Sequence, residues 1–254
     1  SIDDGESWQP LTFNLPATSI RDLVIKDDDV VIGTHGRGFW ILDDITALRQ
    51  LTADVARAPG FLFKPTTGWR FRWNKNTDTP RPPDEPTMPN PPDGVTINYL
   101  VGAGTTGPVT LEVLERIPAG TPGMPAGGTR LLRKFSSDDA DEPLVPLAER
   151  NIPDWWIRPE RKLTATPGIH RFVWDLRLPR PAAASFAYPI SAIAGYTPKE
   201  PRGASVLPGT YSLRLTVGGR TYVQPVTVKM DPRVKTSIAD LTLQYQLSVK
   251  VADA

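Results

Sequence analysis

The chain has 254 residues, long enough for one or two domains, and its 29 Lys and Arg nearly balance 28 Asp and Glu, which excludes a global electrostatic attraction to nucleic acid or an anionic membrane. It contains no cysteine, which excludes disulfides, thiolate metal sites and cysteine nucleophiles. The 28 prolines and 20 glycines favour turns and short strands over helical bundles, and no apolar run approaches the ~18–20 residues of a membrane span.

In chain order, Ile20–Lys26 alternates Ile20, Asp22, Val24 and Lys26 with Leu23 and Ile25 on the other face, and reads as a strand. The acidic turn Asp27-Asp28-Asp29 leads to strands at Val30–Thr34 and Gly38–Leu42. Asp43–Leu51 reads as a short helix with Asp43 or Asp44 as N-cap. Pro59–Trp73 is rich in aromatic residues, and Thr77–Asp93 carries Pro80, Pro82, Pro83, Pro86, Pro89, Pro91 and Pro92. A run so poor in N–H donors cannot form a regular ladder, so the region reads as a linker or surface strap.

From Val95 the pattern is antiparallel β: Thr96–Val101, Val109–Glu115 and Thr129–Ser136, the last two separated by the Gly/Pro loop Ile117–Gly128. His170–Leu178 places Phe172, Trp174, Leu176 and Leu178 on one face, which predicts Trp174 in a core, and Arg171, Asp175 and Arg177 on a solvated or cross-strand-paired face. Tyr211–Val217 and Arg220–Met230 flank Gly218-Gly219, a two-residue hairpin signal, and Pro225 predicts an edge position or a bulge. Ser237–Ala254 has helical spacing, with Ser237 as N-cap and Asp240 at the third helical position. The resulting boundaries are a first β unit at 1–58, a linker at 59–94, a two-sheet unit at 95–235 and the start of a helical segment at 236–254.

Ser1-Ile2-Asp3-Asp4-Gly5-Glu6-Ser7-Trp8 matches the pattern S-x-D-x-G-x-S/T-W at every defined position. Its logic is that of a rigid turn. Asp3 can accept from backbone N–H groups of its own loop, Gly5 permits positive φ, Ser7 can bond back to the loop, and Trp8 can pack the turn onto a strand. The octapeptide resembles the Asp-box of bacterial sialidase/sortilin-like (VPS10-like) β-propeller proteins, often labelled glycosyl hydrolases. Ile20–Ile25, Val31–Asp44, Val173-Trp174-Asp175-Leu176-Arg177, Pro208-Gly209-Thr210-Tyr211 and Val228–Arg233 follow in the order seen in that family.

The resemblance implies an all-β chain: terminal propeller blade (1–58), immunoglobulin-like β-sandwich similar to that of flagellar hook-capping proteins (95–235), and a short C-terminal helix. It implies further blades or another subunit as partners, and a glycan or protein ligand. It also implies a secreted, periplasmic or cell-surface location, with a signal peptide expected upstream of this chain. No cofactor, nucleic acid or membrane span is expected.

Ser1, Asp3, Gly5, Ser7 and Trp8 are read as structural. Thr34-His35-Gly36-Arg37-Gly38 offers His35 and Arg37 as candidate ligand contacts, against a reading in which the glycines make a tight turn and Arg37 pairs with a carboxylate such as Asp43. Trp155 and Trp156 could form a sugar-stacking platform or plug a loop. Asp138–Glu142 lacks the spaced oxygen donors of a calcium loop and reads as a solvated loop, so no metal site is assigned.

No catalytic residue is assigned. Glycosyl transfer needs two carboxylates or a tyrosine nucleophile around one bond. Only Arg21 and Arg37 could contribute to an arginine cluster, and Glu112 and Asp175 are expected on an open sheet face. The chain therefore reads as a non-catalytic portion of its parent, with a glycoside hydrolase whose catalytic residues lie in upstream blades as the rival.

Overall fold

A computed structural model describes residues 1–72, 84, 92–117, 127–158, 162–189, 195 and 197–254. Trp73, the prolines from Pro80 to Pro91, and most of the 117–128 loop lie outside the described residues. The chain is mainly β, with few helices. None of the described helices is long and apolar enough to cross a membrane.

Strands β1 (Ile20–Lys26), β2 (Asp29–Thr34) and β3 (Phe39–Leu42) form an antiparallel meander in the order β1-β2-β3. Asp27 reverses the chain between β1 and β2 at φ 55°, a left-handed conformation that Asp tolerates better than most residues. Helix α1 (Thr46–Gln50) begins later than the sequence predicts, because Asp44 is also left-handed (φ 53°) and its carboxylate accepts the Thr46 N–H at 3.1 Å. Ile45, not Asp43 or Asp44, is therefore the N-cap. The chain breaks at Leu51, and Thr52 caps a second helix, α2 (Ala53–Arg57), by accepting the Val55 N–H at 3.2 Å.

The segment 59–94, expected as a linker, contributes two strands: β4 (Gly60–Leu62) and β5 (Gly68–Arg70). Then come β6 (Val95–Val101), β7 (Thr110–Arg116), β8 (Thr129–Ser136), β9 (Gly168–Trp174), β10 (Gly209–Val217) and β11 (Arg220–Met230). A five-stranded sheet runs β5-β11-β10-β7-β8 and a three-stranded sheet β4-β6-β9. Every pairing is antiparallel except β5 with β11, and no described sheet closes on itself.

One apolar core joins these two sheets. Ile97, Tyr99, Phe172 and Trp174 from the smaller sheet meet Leu111, Val113, Leu213, Leu215 and Val228 from the larger. Trp174 is fully buried, edge-on to Tyr211 with ring centroids 5.7 Å apart, and its Nε1–H donates to the Arg177 carbonyl at 3.2 Å. Strand β9 stops at Trp174, short of the predicted Leu178, because Leu176 turns left-handed (φ 58°) while keeping its side chain in the core.

The outer face of β6 is buried too. Leu100 packs with Phe63 and with Ala47 of α1, while Leu51 and Val55 press against the same cluster. Pro225 lies where β11 has an open edge, since β5 pairs only with Val228–Met230. At the end of β11, both Asp231 oxygens take N–H groups of Arg233, whose backbone N donates at 2.9 Å and Nη2 at 2.6 Å. Helix α3 (Ile238–Ala252) is capped as the sequence predicts, the Ser237 hydroxyl accepting the Asp240 N–H at 3.1 Å.

Candidate functional site

The turn Ser1–Trp8 is built by hydrogen bonds to side chains rather than by flanking strands. Asp3 Oδ1 accepts the Ser7 N–H at 3.0 Å and the Ser1 hydroxyl at 2.8 Å, Asp3 Oδ2 accepts the Ser7 hydroxyl at 2.5 Å, and Ser1 Oγ accepts the Gly5 N–H at 2.7 Å. Gly5 sits at φ 96°, and its carbonyl accepts Trp8 Nε1–H at 3.1 Å. These bonds, those from Ser7 foremost, hold the Asp3 carboxyl down at about 2. Trp8 leaves more than three-quarters of its surface exposed, and its indole lies over Gly5 of its own turn and in none of the buried apolar clusters.

At the β2–β3 turn, Gly36 (φ 74°) and Gly38 (φ 72°) reverse the chain, and the Gly38 carbonyl accepts both the N–H and the hydroxyl of Thr34. The His35 N–H donates to the Ser19 carbonyl, and the Arg37 carbonyl accepts Trp40 Nε1–H at 2.9 Å. The predicted Arg37–Asp43 pair does not form. Asp43 instead lies in the field of Arg171, while burial and the neighbouring Asp29 and Asp44 carboxylates raise its pKa overall.

Arg171 was expected on a solvated or cross-strand-paired face, and it does pair with Asn98 across β6–β9, Nε donating to Oδ1 at 3.1 Å. It also reaches the first sheet's exit, donating from Nη1 to the Asp43 carbonyl at 2.9 Å and from Nη2 to the Asp44 carbonyl at 2.8 Å. Within the first unit Asp29 Oδ1 takes the Asp44 N–H and Arg49 pairs with Asp28, which ties that exit to β2, and the Arg171 bonds join it to the second unit. Periodicity placed Arg171 on the outer face but could not supply its partners, which lie 127 and 128 residues away.

The first sheet carries apolar side chains on both faces, with Asp22, Lys26 and Asp29 sharing the face of Val24. Cross-strand neighbours put Leu23, Ile25, Val30, Ile32, Trp40 and Leu42 on one face and Val24, Val31, Phe39 and Ile41 on the other. Leu23, Ile25, Val24, Phe39 and Ile41 are all exposed, Phe39 at 78%.

Trp155 and Trp156 occupy a 3-10 turn and part company. Trp156 packs against the buried cluster Val145, Ile152, Ile157 and Tyr188, plugging the loop, whereas Trp155 stays 58% exposed. No hydrogen bond or ring contact joins the tryptophans to His35 or Arg37 among the described residues.

The acidic loop is tied down rather than merely solvated. Asp139 accepts the Ser136 N–H at 2.7 Å, Asp141 pairs with Lys162 at 2.8 Å, and Glu142 holds both Arg180 and Lys199. Glu112 does sit on a sheet face, bound by Arg214 Nε at 2.6 Å. Asp175, expected on an open face, instead lines a cleft of about 250 Å³. No group of three or more His, Asp or Glu side chains arranged to hold a metal ion is found among the described residues.

No protein-family model, curated protein or solved structure matches the chain.

Proposed function

We propose that this chain is a non-catalytic structural and binding portion of an Asp-box propeller protein of the cell exterior or envelope, in which β1–β3 is one blade and the two-sheet unit is an immunoglobulin-like brace. The observation that carries the reading is the three-stranded sheet with exposed apolar side chains on both faces, Leu23 and Ile25 on one and Val24, Phe39 and Ile41 on the other. A sheet bounded by solvent on one side alternates polar with apolar, whereas apolar side chains on both faces suit a sheet lodged between two others, as blades are.

Two local features support the brace. Trp174 is buried between the sheets, and the Tyr211 hydroxyl at the start of β10 donates to the Leu207 carbonyl at 2.5 Å, a tether of the tyrosine-corner kind. The Arg171 junction would fix the angle between blade and brace.

The test is to place a charge on each face, Val24→Lys and Ile25→Lys, in the whole gene product and in this chain alone. This chain should keep its thermal midpoint within a few degrees, because neither side chain packs in the two-sheet core. The whole gene product should lose solubility or expose new protease sites between its blades. If both substitutions leave the whole gene product folded and monodisperse, the sheet is not lodged between others and the blade reading is wrong.

A further inference from the structure

Helix α3 is seated on the two-sheet unit along one face. Leu241 is buried there, Gln244 Oε1 accepts from Arg70 Nη2 at 3.1 Å, and Tyr245, half-buried, meets Arg130. A second stripe runs along the helix beside these anchors: Leu243, Leu247 and Val251, each four residues from the next. All three are exposed, Val251 at 77%, and none belongs to a buried apolar cluster. Leu247 and Val251 border a cleft that separates α3 from the 198–205 segment. A single exposed leucine is ordinary, but a stripe at helical spacing is a surface that another helix can cover.

The charges of α3 follow the same plan. Asp240 in its first turn and Lys250 in its last are its only charged residues. At 3.6 residues per turn both lie on the side of the stripe. The Asp240 carboxylate accepts the Ser237 hydroxyl, which leaves its charge in place, and Lys250, exposed, makes no ion pair among the described residues. Stripe and charges are arranged about one point, Tyr245. Leu243 and Leu247 stand two positions to either side of it, and Asp240 and Lys250 five. A second α3 laid antiparallel about that point sets Leu243 level with Leu247 and Asp240 level with Lys250, each pairing made twice by symmetry. A parallel copy sets Asp240 beside Asp240 and Lys250 beside Lys250. The antiparallel arrangement also brings the positive N-terminal end of each helix beside a negative C-terminal end. Exposed ion pairs add little affinity, so the charges fix orientation and the apolar stripe supplies the attraction.

We propose that α3 is a self-complementary docking surface whose partner is a second copy of this chain, held antiparallel with Leu243 of each copy against Leu247 of the other. The pairing is independent of how β1–β3 packs. Three apolar side chains from each copy cover less than the ~1,200 Å² at which standard interfaces begin, so the dimer is weak and reversible.

The experiment is sedimentation of the full chain from about 10 µM to about 1 mM, the range in which so small an interface associates. The chain should pass reversibly from monomer to dimer. Leu247→Glu should weaken the dimer at least about tenfold, because it seats a carboxylate against Leu243 of the second copy. Its thermal midpoint should stay unchanged, because the side chain is exposed. Phe39→Lys, on an exposed face of the first sheet, should leave association within about twofold. Orientation is read separately. The chain has no cysteine, so Asp253→Cys can carry a single nitroxide. Mixed with isotope-labelled chain free of nitroxide, it should broaden the amides of 237–240 in the second copy and spare those of 250–254. A chain still monomeric at about 1 mM would overturn the proposal. So would association that survives Leu247→Glu or requires Phe39, or broadening at 250–254 in place of 237–240.

Discussion

Asp3 shows how far one side chain can organise a segment without tertiary support. Each of its oxygens accepts a hydroxyl hydrogen, one of them also takes a backbone N–H, and all these bonds favour the ionised form. A depressed carboxyl pKa means that the turn's stabilisation is complete above the ordinary carboxylate value of 3.8 and is lost as pH falls through about 2. The Ser7 amide and the Trp8 indole N–H should hold their chemical shifts from neutral pH down to about 4, then move together toward random-coil positions as pH approaches 2. A midpoint at the ordinary carboxylate value would mean that the bonds drawn to Asp3 are not persistent in solution. This turn was legible in the sequence because every bond in it spans four residues or fewer. The Arg37 pairing was not, since proximity in sequence to Asp43 says nothing of direction, and Arg171 reaches that place from β9.

Among the elements, strands with strict alternation and a strong turn signal were readable. The β10–β11 hairpin forms around Gly218 (φ 54°) and Gly219 (φ 73°), as the Gly-Gly pair requires, and Val217 faces Arg220 in register. Strands β4 and β5 escaped because three residues are too few to display a period, and their pairing with β6 and β11 is specified by those partners. The near-continuous burial of β6 has a similar origin, since alternation fails once α1 and α2 cover the outer face. Core membership was the most secure expectation, and Trp174 is its sharpest test. Trp174→Ala should cost about 3–5 kcal/mol, through lost burial and the cavity left beside Tyr211. The measurement is urea unfolding of the whole chain, because β4 and β5 belong to the two sheets and a fragment starting at residue 95 would lack both. A loss below about 1 kcal/mol would show that the two sheets do not share a tightly packed core around this indole.

At the scale of the molecule, two β units of unlike character are joined by a polar junction beside the apolar contact of α1 and α2 with β6. One unit encloses its own core, whereas the other presents apolar residues to solvent on both faces and has open edges at β1 and β3. Their relative placement rests on the apolar contact of Ala47, Leu51 and Val55 with Phe63 and Leu100 and on Arg171, whose planar guanidinium donates to Asn98 and to two successive carbonyls of the first unit's exit. That fork cannot be reproduced by an ammonium, which is a point charge without fixed donor directions. Arg171→Lys and Arg171→Met should therefore both loosen the junction, with Met the more damaging because it also leaves the buried Asn98 side chain without this donor. Arg171 is itself solvent-exposed, so the global cost should stay near 1–2 kcal/mol, at the lower end of hydrogen bonds to charged groups. The local effect should be larger. Amides of Thr46 and Ala47 should exchange about tenfold faster, while those of β10 keep their protection. Arg171 is also the cation that opposes the rise in the Asp43 pKa, so without it Asp43 should take up its proton at a higher pH than in the parent chain. Protonation then weakens no ion pair, because burial already disfavours the charged form, and the junction of the Met variant should tighten slightly on acidification rather than open. An Asp43 titration unmoved by Arg171→Met, together with unchanged exchange at Thr46 and Ala47, would show that the guanidinium does not hold the two units together.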